Sequence, residues 1–162
     1  MSFAGVWMSL ESLPISAYIG ESWLFPFLES IHVLSATFLV GSIVMVDLRL
    51  LGLAARDQPV SRITKEIIPW TLGGCALSLL TGLGMFMTQA SRYVDNRPFR
   101  IKMLLLVLAG LNMAVFHRTT ARGIARWDTA RVGTGAARLA GASSLLYWTG
   151  IMLAGRWIGH LL

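Results

Sequence analysis

Glu29 and His32 stand three residues apart in the stretch 23–53, WLFPFLESIHVLSATFLVGSIVMVDLRLLGL. On a helix that spacing turns both side chains to one face. Residues 33–46 then carry no charge before Asp47 and Arg49 close the stretch. An ionisable pair inside so apolar a helix is costly, and is by default a functional feature. An imidazole there could ligate a metal or a haem iron, or exchange protons near neutral pH. Three more ionisable residues fall in apolar surroundings: Lys102, Arg156 and His160. Helical spacing puts Lys102 on a stripe with Leu105, Ala109 and Asn112, and Arg156 on one with Thr149, Met152 and His160.

The elements that must carry these groups are membrane helices. The 162 residues are 55% hydrophobic and only 14% charged, with a mean hydropathy of +0.64. Soluble domains carry roughly 25% charge. The net charge of +6 would suit nucleic acid, but the positive residues flank apolar blocks and form no patch with interleaved aromatics. They read as membrane topology, with no nucleic-acid partner. Cys75 is the single cysteine, which excludes a disulfide framework and a cysteine metal site. Residues 1–22 hold no Lys or Arg, which argues against a cleaved signal peptide.

Four spans are expected, at about 24–47, 67–89, 99–118 and 139–161. Pro69 and Trp70 suit the first turn and the interface of the second. Before them, residues 1–22 form a periplasmic or interfacial segment, with a short surface helix over 9–20 and Pro14 near its start. Residues 23–162 form the domain. The fold class is all-α, an integral membrane antiparallel four-helix bundle. Gly74, Ser78 and Gly82 make a small-residue stripe on which a neighbouring helix can pack closely.

Topology follows from Lys and Arg. The 47–68 and 118–138 connections hold Arg49, Arg56, Arg62, Lys65, Arg118, Arg122, Arg126, Arg131 and Arg138. The other side holds Arg92, Arg97, Arg100, Lys102 and Arg156. Nine against five places both termini outside the cytoplasm, in the periplasm of a bacterial inner-membrane protein.

Counting rise from the cytoplasmic ends brings the ionisable groups to one level. His32 lies roughly 22 Å above Asp47, Glu29 roughly 27 Å, Lys102 roughly 24 Å above Arg118, and Arg156 roughly 27 Å above Arg138. Gln89 arrives at roughly 30 Å. A Glu29 ion pair with Lys102 or Arg156 would fit this level. His117 falls roughly 20 Å below His32, so the two cannot clamp one haem, whereas His160 lies roughly 10 Å above it. Asn112 reads as hydrogen-bonding glue between helices.

Three readings share these residues. In the first, the chain is a redox-linked subunit binding one haem b or a quinone at Glu29, His32, Lys102, Arg156 and His160, with His32 as the metal ligand. Lys102 and Arg156 would neutralise haem propionates, and the partner would be a membrane or periplasmic redox protein. In the second, it is a non-enzymatic membrane anchor or assembly subunit whose charges form a structural ion-pair network and whose small-residue stripes bind a partner or a second copy. In the third, it is an oligomeric transporter of a small solute or metal. No serine elbow or phosphate loop supports nucleophilic catalysis, and no catalytic residue is assigned.

Several stretches carry a resemblance: ESWLFPFLESIHVLSATFLVGSIVMVDLRLLGL, IPW, TGLGMF, FRIKMLLLVLAGLNMAVFHR and WTGIMLAGRWIGH. Together, over about 20–160, they resemble a family of small bacterial inner-membrane proteins known only as a domain of unknown function. DLRLLG and K-x9-N-x4-H are its most specific elements. The resemblance implies four spans and the inner membrane, and no activity. A looser likeness, through an early histidine and a glycine-rich half, is to copper-resistance D type membrane domains and small b-type cytochromes. This chain lacks the paired, level histidines of dihaem cytochromes.

Overall fold

A computed structural model describes residues 3–161, and the described residues are helical with short connections. The α-helices are α1 (Phe3–Glu11), α2 (Pro14–Glu21), α3 (Leu24–Leu51), α4 (Val60–Thr88), α5 (Ala90–Asp95), α6 (Arg97–Arg118) and α7 (Gly135–Leu161), with a 3₁₀ turn at Ala121–Arg126.

Three of them, α3, α4 and α6, are long and apolar enough to cross a membrane. Their outward faces carry exposed Leu34, Leu79, Leu80, Leu104 and Leu111. That pattern is costly in water and natural in lipid. The stretch expected to form a fourth span is helical, as the 27-residue α7, but it is not among the helices long and apolar enough to cross. Its glycines and serines dilute the apolar run, and several of them serve close packing. A Cβ on Gly150 would lie 2.8 Å from Leu105 Cδ1, and one on Gly141 would lie 3.1 Å from the Asp47 carbonyl oxygen.

The long helices run antiparallel to their neighbours. Along α4, Gly74, Gly82 and Gly84 meet Phe38, His32 and Leu28 of α3 in descending order. Along α7, Ser143, Gly150 and Gly155 meet Asn112, Leu105 and Lys102 of α6. Helix α3 also packs on α7, whereas α4 and α6 are not packed along their length. Those two meet at the α5 end, where Phe86 stacks on Phe99 with ring centroids 5.6 Å apart. Tyr93 and Trp7 complete that aromatic cluster.

Helix ends differ from the sequence expectation for identifiable reasons. Helix α4 begins at Val60, so Pro69 lies inside it rather than in its first turn. Asp128 supplies the missing start signal from far along the chain. Its carboxylate accepts from the Ser61 N–H (2.7 Å) and hydroxyl (2.6 Å), as an N-cap would. Those bonds, the hydroxyl's first, hold the Asp128 carboxyl below its usual range, and Arg49 adds to the effect. Helix α3 continues past Asp47 to Leu51 and stops at Gly52. That residue has φ +71°, and a Cβ on it would lie 3.0 Å from the Arg131 carbonyl oxygen, so glycine is required on both counts.

The N-terminal segment is two short helices, not one. Pro14 starts α2 in its first turn. Glu11, at the end of α1, accepts from the Ser91 N–H (2.7 Å) and hydroxyl (2.6 Å) on α5. The Ser91 hydroxyl, and then its N–H, hold the Glu11 carboxyl below its usual range. Both helices lie against the α5 end of the long helices, with Thr88 beside Gly20.

Candidate functional site

Helix α3 turns His32 onto α4. The imidazole Nδ1 is 3.0 Å from the Ser78 carbonyl oxygen and 3.1 Å from Thr81 Oγ1. A carbonyl can only accept, so Nδ1 carries a proton. Thr81 commits its own hydroxyl proton to the Leu77 carbonyl (2.7 Å), which leaves its oxygen free to accept as well. The ring rests on Gly82, where a Cβ would come within 3.1 Å of Cε1. Ser35 and Ser78 share a further hydrogen bond one turn along (2.9 Å). Three α4 residues therefore fix the ring's rotation and tautomer, and in the neutral ring the lone pair sits on Nε2. Among the described residues Nε2 has no hydrogen-bond partner.

Lys102 on α6 is the charged group whose field reaches His32. Its Nζ lies over Gly155 of α7, 3.7 Å from where a Cβ would be, and the side chain is half-buried. Among the described residues the ammonium makes neither a hydrogen bond nor an ion pair. The other expected members are more open. Glu29 is exposed, and its charge is felt by Tyr93, whose phenol is pushed up by burial first and by Glu29 second. Arg156 and His160 are exposed on the last turns of α7, and His160 packs edge-on to Trp157 at 6.1 Å. Gln89 ends α4 and accepts from Arg92 (3.0 Å).

The Glu29 ion pair expected with Lys102 or Arg156 is not formed. Among the described residues, the ion pairs within 4.0 Å are Arg62–Glu66 and Arg100–Asp95, both exposed. Asn112 is the interhelical glue expected of it. Its Nδ2 donates to the Ala140 carbonyl (2.9 Å), and its Oδ1 accepts from the Ser143 hydroxyl (3.1 Å). His117 is exposed, with Nδ1 on the Met113 carbonyl (3.0 Å). No group of three or more His, Cys, Asp or Glu side chains able to hold a metal occurs among the described residues. His32 could therefore share a metal with at most one other side chain of these types among the described residues.

Two buried ionisable residues escape a reading that ends the helix at its first charge. Arg49 is fully buried. Its Nε donates to the Gln58 carbonyl (2.8 Å), and its Nη2 to those of Asp128 (3.3 Å) and Ala130 (3.0 Å). It clamps both connections at the end opposite α5, beside a core of Leu50, Val60, Trp127 and Ala137. Asp47 is 5% exposed, with the Ser144 hydroxyl of α7 beside it. The signal for both was present: Leu48, Leu50 and Leu51 continue the apolar pattern past them.

A family model described as a family of unknown function (DUF6644) matches residues 12–161. The chain belongs to that family. The match takes in every element that builds the His32, Lys102 and Asp47 surroundings, while the whole of α1 precedes it. Comparison of this DUF6644 member with curated proteins and with solved structures gives no match.

Proposed function

We propose that this DUF6644 protein is a four-span antiparallel bundle of the bacterial inner membrane with both termini in the periplasm. In this reading it holds one redox-active ligand, a haem b or a quinone, against His32 near the periplasmic face. One observation carries the reading: His32 is engaged through Nδ1 by the Ser78 carbonyl and, among the described residues, leaves Nε2 without a partner, in the field of an equally unpartnered Lys102. A second-sphere bond from the far ring nitrogen to a carbonyl is how proteins orient a ligating histidine. An ammonium left unpaired inside a span favours an anionic or strongly accepting ligand.

A haem b would be held through its iron by His32, with Lys102, and Arg156 further out, to neutralise its propionates, and it would supply one-electron chemistry. A quinone would be held by Lys102 and His32 and would supply proton-coupled electron transfer, with Nε2 of His32 the group available to take up a proton. Glu29, exposed one turn above, gives that proton a route to the periplasm. Electrons pass to or from a membrane or periplasmic partner.

A second reading, an anchor or assembly subunit, draws on Gly41, Gly73 and Gly110, each with nothing within 4 Å of an added Cβ. These leave room for another helix or a second copy.

The test is a dithionite-reduced minus air-oxidised spectrum of protein expressed with haem precursor, followed by solvent extraction of quinone. A sharp α-band in the wild type that is absent from His32→Ala supports haem. A colourless protein that yields a quinone lost in His32→Ala supports the quinone. Neither ligand in a fully helical wild type overturns the redox reading and leaves the anchor.

A further inference from the structure

We propose that Asp47 is a buried proton-binding site, its carboxyl carrying a proton in the folded protein and exchanging it with the aqueous side nearest the Arg49 clamp. The proposal is independent of the His32 reading. It rests on burial and on what surrounds the carboxyl. Asp47 is 5% exposed, and its Oδ2 is buried without a hydrogen-bond partner among the described residues. An ionised carboxylate in such a place needs a cation or several donors.

Among the described residues no neighbouring element pairs a cation with it. On α3 itself, Arg49 gives Nε and Nη2 to the carbonyls of Gln58, Asp128 and Ala130, and its buried Nη1, which has no hydrogen-bond partner among the described residues, stays more than 4.0 Å from the Asp47 carboxylate. On α7, the backbone of Gly141 and the Ser144 hydroxyl face Asp47, while Arg138 one turn earlier is exposed and Tyr147 one turn later makes no hydrogen bond to it. On α4, Lys65 is exposed and Arg62 pairs with Glu66. His117 and Arg118, at the end of α6 behind α7, are exposed. Glu21 of α2 is exposed at the far end of α3. No ion pair within 4.0 Å reaches Asp47 among the described residues.

A sodium ion would need several more oxygens than one carboxylate and one hydroxyl. A proton needs only the carboxylate. The step is simple: one proton enters from water, one O–H bond forms, and the buried negative charge disappears. Asp47 sits roughly 22 Å along α3 from His32, so the two sites are well separated.

Infrared spectroscopy of the purified full chain reads this directly. The wild type at neutral pH should show a protonated-carboxyl carbonyl band that shifts in D₂O, is lost in Asp47→Asn, and is unchanged between sodium-containing and sodium-free buffer. Ser144→Ala keeps the carboxyl and removes its neighbour, so it should shift the same band. It assigns the band even if Asp47→Asn fails to fold. A wild type without such a band overturns the proposal, as does a band that neither substitution changes. A band seen only without sodium shows that sodium, not a proton, is the resident ion, and also overturns it.

Discussion

His32 is defined by what holds it. Its rotation depends on Ser78, Thr81 and the bare backbone of Gly82, three residues of one neighbouring helix. That gives a sharp expectation for Gly82→Ala. The added methyl would stand 3.1 Å from Cε1, closer than ordinary van der Waals contact, so the ring must move and its bond to the Ser78 carbonyl must stretch. Ligand content should fall several-fold while the protein still folds, because alanine favours a helix over glycine by about 1 kcal/mol. Retention of full ligand content in Gly82→Ala would show that the ring's placement does not matter.

Between helices, polar side chains decide which ends meet. Asn112 joins α6 to Ala140 and Ser143 of α7. Interhelical hydrogen bonds in membranes average about 0.6 kcal/mol, so Asn112→Ala should lower thermal stability in detergent by a small amount. A loss well above that would mean that Asn112 does more than join helices. Asp128 acts on the start of α4, and Asp128→Ala should cost about 1 kcal/mol at neutral pH, as loss of a helix cap does. The sign of its pH dependence is fixed. The folded carboxyl titrates below its unfolded value near 3.9. Its contribution is therefore complete above that unfolded value and disappears as pH falls through the folded one. Wild-type and Asp128→Ala melting curves should converge in acid. Curves that stay equally far apart would assign the effect to packing.

At the scale of the molecule, what the sequence revealed follows from which forces are local. The apolar runs behind α3, α4 and α6 stand out in composition, and the stripe of Gly74, Ser78 and Gly82 was readable as a helix contact because its spacing is helical. Counting rise put Lys102 level with Arg156, and in the structure the Lys102 ammonium lies over Gly155, the residue before it. Rotation was not readable. Whether Glu29 faces a cation or the outside depends on packing between helices, and it is exposed. Long-range satisfaction was not readable either. Arg49 counted as a loop charge because the carbonyls that bury it belong to Asp128 and Ala130, about eighty residues away. The same distance hid the Asp128 cap and so the early start of α4.

The most direct test of the account is the haem and quinone content per chain of wild-type protein and of His32→Ala, purified side by side and matched for helical content. The account predicts about one molecule of one of these ligands per wild-type chain and almost none in the variant. Equal content in the two, or none in either, would contradict it.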